Sequence, residues 1–256
     1  MTKVDERVLS QTINRLSGSI QPLVFETGFP EAPYSLKGTV FLVGYRGRAF
    51  ALTARHALSD KNVSPLCIFV SDTSQKILPL KNVFLVPTDA ASDDFADLAV
   101  IEIDLSAITV PELGCARVID LALSCGEWLS GTETADMFLI GYPEEYSYVE
   151  YDQEALLTQR YVLHGRYAGP SEIPFLHVLE ASGRDELNTF SGFSGGPVFA
   201  SIVDPGGRAR ITLCGMALRG TPVSRRIHFL DISVLLDALH IAFGGGRRGG
   251  RHDGYL

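Results

Sequence analysis

The chain has 256 residues, 46% of them hydrophobic, and carries a formal charge of −8. This length suits one compact unit or two small barrels sharing an interface, and the composition excludes a disordered, collagen-like or coiled-coil chain. An acidic body repels phosphate backbones, which argues against nucleic acid as the main partner.

The first residues, Met1 to Ser10, lack the apolar run of a signal peptide. No later segment approaches the roughly 18 unbroken apolar residues of a membrane span. A cytoplasmic protein without a membrane partner is therefore expected. From Asp5 to Leu16, Val8, Leu9, Ile13 and Leu16 recur at helical spacing and predict a short amphipathic helix. After it come short apolar runs separated by Gly, Pro, Asp and Ser. They are Gly38 to Tyr45, Arg48 to Thr53, Cys67 to Val70, Val83 to Val86, Leu98 to Ile103 and Met137 to Ile140. Phe175 to Leu179, Pro197 to Ile202, Ile211 to Leu218 and Ile227 to Leu230 follow. Many short strands between turn signals predict a sandwich or barrel. Arg46-Gly47 between the first two runs reads as a tight hairpin. Ile232 to Phe243 carries Val234, Leu235, Ala238, Leu239 and Ala242 on one side and predicts a C-terminal helix. Gly244 onward, with Arg247, Arg248 and Arg251, reads as a flexible basic tail.

Cys67, Cys115, Cys125 and Cys214 have no paired spacing, so they form neither a zinc site nor a disulfide framework. Reduced, buried thiols are expected. Tyr142 to Glu154 is dense in tyrosines and acids. It reads first as a solvated hairpin, and second as a loop that would favour basic peptides.

Three short motifs carry chemistry. Gly192-Phe193-Ser194-Gly195-Gly196-Pro197 precedes an apolar strand. A serine hydroxyl is a poor nucleophile and needs a base and a place for the oxyanion's charge. The backbone N–H groups of Gly192 and Ser194 are candidates for that oxyanion hole. Gly195 and Gly196 let the chain pass close beneath a substrate. A proline and a strand after the serine exclude the strand–helix elbow of the α/β-hydrolases. Thr53-Ala54-Arg55-His56 ends the second hairpin strand, where small residues let the ring reach a cleft. Asp97-Leu98-Ala99-Val100 places an acid at a strand start, rigid enough to orient an imidazole. Asp93, Asp94 and Asp104 read as solvated turn acids. The order His56, Asp97, Ser194 is that of the chymotrypsin template.

These motifs, with Gly38-Thr-Val-Phe-Leu-Val and Leu139-Ile-Gly-Tyr-Pro, resemble those of the trypsin-like serine peptidases, especially their intracellular and bacterial branches. The resemblance runs from about Ile20 to Phe243. It implies an all-β fold of two antiparallel six-stranded β-barrels with a short N-terminal and a C-terminal helix. The domains expected are a helical extension over 1–19 and a peptidase domain over 20–243. The first barrel would cover about 20–125, the second about 126–243, and the tail 244–256. The implied activity is that of a serine endopeptidase with catalytic His56, Asp97 and Ser194, acting on a protein or peptide substrate without cofactor or metal. The site would lie between the barrels. A catalytically silent peptide-binding scaffold is the alternative.

Phe193 stands where secreted zymogens carry an Asp that pairs with a freed N-terminus, so that activation device is missing. A chain without it needs narrow specificity or gating by a regulatory protein partner. Leu218 stands where many relatives carry a serine that hydrogen-bonds the triad acid. By resemblance the substrate pocket comprises Asn188, Thr189, Leu218, Arg219 and Gly220. Asn188 replaces the pocket-floor Asp of relatives that cleave after Arg or Lys, which predicts a small polar or medium apolar side chain there.

Overall fold

A computed structural model describes residues 6–58, 66–70, 76–87, 96–108, 117–121, 128–129, 136–150, 155–182, 187–203 and 209–243. The expectations for Cys115, Cys125, Asp93, Asp94, Tyr151, Asp152, Glu154 and the tail lie outside the described residues.

Helix α1, Glu6–Ser17, leads into β1, Ile20–Glu26. The first sheet continues with β2, Tyr34–Tyr45, and β3, Arg48–Thr53, joined by the Arg46-Gly47 turn. Both turn residues have positive φ, 50° and 74°, as the two-residue turn that matches strand twist requires. Strands β4 (Leu66–Cys67), β5 (Leu80–Leu85) and β6 (Ala99–Ile103) complete an antiparallel path ordered β4-β1-β2-β3-β6-β5. A short β7, Ile119–Asp120, pairs with β2 in parallel, so this sheet is curled and seven-stranded rather than a closed six-stranded barrel.

The second sheet closes fully. Strands β8 (Asp136–Gly141), β11 (Tyr161–Pro170), β12 (Leu176–Ala181), β13 (Pro197–Val203), β14 (Ala209–Thr221) and β15 (Arg226–Asp231) form a six-stranded antiparallel barrel ordered β11-β12-β15-β14-β13-β8. A separate hairpin pairs β9, Tyr148–Glu150, with β10, Ala155–Leu157. Helix α2, Ile232–Phe243, ends the described chain. No helix among the described residues is long and apolar enough to cross a membrane.

Strands β2, β3 and β6 are buried on both faces, which explains their near-continuous apolar runs. Val40, Leu42, Ala49, Ala51, Ile101 and Ile103 fill the interior of the first sheet. Phe41, Val43, Phe50, Leu52 and Val100 point the other way, into a larger core that includes Leu139, Leu235 and Leu239 of the second half. Successive residues of a strand face opposite sides, so one strand can serve two cores.

Two polar clusters anchor α2 at its ends. Asp231 caps its start: Oδ1 accepts from the Ser233 N–H at 2.8 Å and from Ser233 Oγ at 2.5 Å. Its Oδ2 accepts from Trp128 Nε1 at 3.1 Å and lies 3.2 Å from His177 Nε2. Tyr167 Oη stands 2.8 Å from the other ring nitrogen of His177. At the far end, Phe243 packs on Phe50 with ring centroids 4.8 Å apart, under the Arg48 guanidinium at 4.9 Å. Arg48 is held by the buried Glu102, whose other oxygen accepts from Asn82 at 2.8 Å. Helix α2 therefore reaches from the closed barrel back to the first sheet.

Replacing Asp231 by Ala removes a helix cap and takes away the acceptor of the buried Trp128 and the partner of the half-buried His177. The expected loss is about 2–4 kcal/mol of unfolding free energy, read from urea denaturation.

Candidate active site

His56 lies in a single 3₁₀ turn, Arg55–Ala57, directly after β3. Asp97 lies two residues before β6, the neighbour of β3 in the sheet. This adjacency brings the two together. His56 Nδ1 donates to Asp97 Oδ2 at 2.6 Å, and the His56 backbone N–H donates to Oδ1 at 2.8 Å. The carboxylate thus fixes both the turn and the ring. With Nδ1 as donor, Nε2 of the neutral imidazole carries the lone pair, and among the described residues it has no hydrogen-bond partner. The His56 side chain is half exposed, while that of Asp97 is 21% exposed.

The hydrogen bond to Asp97 raises the pKa of His56, and the Asp97 charge adds to it, against the opposing effects of burial and Arg219. Burial pushes the Asp97 carboxyl up. The hydrogen bonds and charge from His56, with a smaller effect of Arg219, outweigh it and leave the pKa below the ordinary carboxylate range.

Ser194 sits in the loop between Leu187 and β13, pressed against both sheets. The Thr39 N–H of β2 donates to the Ser194 carbonyl at 2.8 Å. Thr39 Oγ1 donates to the Gly192 carbonyl at 2.7 Å and accepts from the Tyr142 N–H at 2.9 Å. Thr53 Oγ1, three residues before His56, donates to the Thr39 carbonyl at 2.8 Å. Gly195 N–H and Ala217 N–H exchange with carbonyls of Ala217 and Gly196 at 2.8 Å each. A Cβ added at Gly38 would meet both the Ser194 carbonyl, at 2.8 Å, and the Ala57 Cβ, at 3.4 Å, so the histidine turn and the serine loop crowd the same point.

Gly192 is required by conformation and by space. Its φ is +91°, and a Cβ would stand 2.2 Å from the Tyr142 carbonyl. The N–H groups of Gly192 and Ser194 have no hydrogen-bond partner among the described residues. Ser194 Oγ donates to the Leu218 carbonyl at 2.7 Å, and no hydrogen bond joins it to His56. Leu218 is the extra residue of a bulge in β14, since Ala217 pairs with Phe229 and Arg219 with His228.

Phe193 is buried at 2% exposure, edge-on to Tyr161 and Phe190 and close against Gly141. Aromatic packing therefore fixes the residue that precedes Ser194. Asn188 is exposed, its backbone N–H donating to Glu145 Oε2 at 3.0 Å, so it does not form a buried floor. Thr189 Oγ1 accepts from the Ser191 N–H. Leu218 is buried, Arg219 exposed and Gly220 half-buried. Glu144 accepts from Ser191 Oγ. Glu144 and Glu145 therefore brace the 188–191 loop, and the described part of the Tyr142–Glu154 segment ends in the β9–β10 hairpin. Asp104 takes the turn role read from the sequence, accepting from the Ser106 N–H.

Sequence reasoning missed two features. Thr39 lies inside the framework motif, but nothing in its spacing marks it as the link between sheets. The His177–Asp231 pair was not paired in sequence at all. Its imidazole meets Tyr167 rather than a serine, and both ring nitrogens are occupied. No group of three or more His, Cys, Asp and Glu side chains that could hold a metal ion occurs among the described residues.

The two sheets with flanking helices have the shape of the chymotrypsin-like superfamily. No protein-family model matches the chain, and no curated protein matches it either.

Thr39→Val keeps the volume but removes the hydroxyl that serves Gly192 and Tyr142. With both of those buried hydrogen bonds lost, we expect a drop of about 1–3 kcal/mol in chemical denaturation.

Proposed function

We propose that this protein is a serine endopeptidase in which Ser194 is the nucleophile, His56 the general base and acid, and Asp97 the group that orients the ring. The observation that carries the reading is the His56–Asp97 hydrogen bond, with the other imidazole nitrogen unpartnered, in a turn that packs against the Ser194 loop. His56 Nε2 takes the Ser194 proton as Oγ attacks the substrate carbonyl, and later passes it to the leaving amine. The C–N bond breaks, an acyl-enzyme remains on Oγ, and water activated by the same nitrogen hydrolyses it. The N–H groups of Gly192 and Ser194 receive the oxyanion, a contribution typically worth about 10²–10³ in turnover per donor. The domain limits read from the sequence are part of this proposal; the preference for a small polar or medium apolar side chain is not, because it took Asn188 as the pocket floor and Asn188 is exposed.

For attack, the Ser194 hydroxyl turns from the Leu218 carbonyl to His56, a side-chain rotation that is fast on the scale of turnover. Its present bond to Leu218 favours a second reading, a peptide-binding scaffold whose serine stays turned away. Labelling with a fluorophosphonate separates the two. A peptidase is labelled at Ser194 and loses labelling in His56→Ala, whereas a scaffold is not labelled.

Ser194→Ala is expected to lower kcat by about 10⁴–10⁶ without unfolding the chain. Asp97→Asn should cost about 10⁴ by favouring the wrong tautomer. Peptide hydrolysis within tenfold of wild type in either variant would sink the assignment. The base must be neutral, so activity falls as pH drops through the pKa of His56. Because that pKa is raised, the acid limb of kcat/KM lies above pH 6.5, and Asp97→Asn moves it down. A limb that Asp97→Asn leaves in place would assign it to another group.

A further inference from the structure

Gly192 lies between two peptide units whose carbonyls are both held. The carbonyl of Ser191, in the unit before it, accepts from the Glu144 N–H at 3.0 Å. The carbonyl of Gly192 itself, in the unit after it, accepts from Thr39 Oγ1 at 2.7 Å. A trans peptide is planar, with its N–H pointing opposite to its C=O. Holding the Ser191 carbonyl against Glu144 therefore turns the Gly192 N–H away from the chain at Tyr142–Glu144. That N–H is one of the two oxyanion donors of the function proposed above.

Glycine makes such holding necessary. Without a Cβ it rotates about φ and ψ at little cost, so nothing local keeps the neighbouring peptide units in place. If the Ser191–Gly192 unit turned over, it would present the Ser191 carbonyl, the negative end of its dipole, where the donor N–H now lies. The same missing Cβ permits the grip. At Gly192 it would stand 2.7 Å from the Glu144 nitrogen.

Glu144 and Ser191 each donate to the other. Besides the backbone bond, the Glu144 carboxylate accepts from Ser191 Oγ. Glu144 opens the 3₁₀ turn Glu144–Tyr146, in which the Tyr146 N–H donates to the Pro143 carbonyl at 3.1 Å. That carbonyl also takes Ser147 Oγ at 3.2 Å, so the turn is fixed on its own account. Thr39 acts from the other side. It is fully buried on β2, and its hydroxyl donates to Gly192 while accepting from the Tyr142 N–H. It cannot rotate without losing both bonds. One grip comes from each half of the chain, and neither depends on a freed N-terminus.

We propose that Thr39 and Glu144 are positioning residues that hold the Gly192 N–H toward the carbonyl under attack, Thr39 through the Gly192 carbonyl and Glu144 through Ser191, so that the oxyanion site is assembled before substrate binds. The inference rests on Ser194 as nucleophile and Gly192 as oxyanion donor, and adds to that reading the residues that set the donor.

The full-length protein and four variants are compared in peptide hydrolysis. Thr39→Val should lower kcat by about tenfold to hundredfold with KM within about twofold, short of the 10²–10³ typical of deleting a donor outright. Glu144→Ala should lower kcat by about threefold to tenfold, the worth of one hydrogen bond. Thr39→Ser and Glu144→Gln keep a hydroxyl and an acceptor oxygen and should stay within about twofold of wild type. A peptidyl trifluoromethyl ketone, which takes up Ser194 Oγ at its carbonyl carbon while the proton passes to His56, carries the same oxyanion. Its Ki should rise by the factor that kcat/KM falls, a match that a general loss of fold does not produce. Crystal structures of Thr39→Val and Glu144→Ala should show the Gly192 or Ser191 carbonyl turned from its present direction. Unchanged kcat in both variants, a loss that Thr39→Ser shares in full, or an unchanged 191–193 backbone in both crystals would overturn the inference. Absence of any Ser194-dependent hydrolysis by the wild type would instead overturn the peptidase reading, while the crystals still decide what holds the two carbonyls.

Discussion

Thr39 uses every polar group it has. Its N–H holds the Ser194 carbonyl, its hydroxyl bridges the Gly192 carbonyl and the Tyr142 N–H, and its carbonyl takes the Thr53 hydroxyl. The residue is fully buried, so none of these groups can fall back on water and each broken bond carries the desolvation cost of an unpaired polar atom. Through it the serine loop of one sheet is set against the strand that leads to His56 in the other. The glycines follow from the same closeness: a Cβ at Gly195 would stand 2.1 Å from the Thr39 carbonyl.

Two His–Asp pairs stand out among the described residues, and their surroundings separate their roles. His177 is enclosed, with Tyr167 on one nitrogen and Asp231 on the other, edge-on to Trp128. A ring with both nitrogens committed has none to offer a substrate, and this cluster anchors α2. His56 keeps one nitrogen open and half its side chain in solvent. Its Asp97 is supported by two bonds from His56 itself. Such a carboxylate depends on its histidine for much of its stabilisation, which couples the geometry of the two residues closely.

The two ends of α2 solve a related problem. A curled sheet that does not close needs its outer face covered, and Phe243 with Arg48 and Glu102 covers the face at Phe50. Burial pushes the Glu102 carboxyl up, but hydrogen bonds from Arg48 and Asn82 outweigh it and keep the acid ionised. The helix therefore joins the halves by apolar packing at one end and a satisfied carboxylate at each.

Local pattern sufficed for much of this. The apolar runs from Gly38 to Tyr45 and from Arg48 to Thr53, the Arg46-Gly47 turn and helix α2 are set by residues near one another in sequence, and they stand where the pattern put them. That His56 and Asp97 each lie at a strand terminus was legible too, but their adjacency was expected only from the motif order and the family resemblance, and comes from the pairing of β3 with β6. Strands β1 and β11 were not legible: Pro22 interrupts one, and Gly165 and Gly169 the other, so neither carries a clean alternation. The roles of Thr39, of the bulge at Leu218, and of the His177–Asp231 cluster depend on partners far away in the chain. Sequence determined which strands and which reactive side chains exist, because propensity and polarity act over a few residues. Tertiary structure alone decided which of those side chains are paired, which are left open and which way the Ser194 hydroxyl points, because register and burial are settled only when distant strands meet.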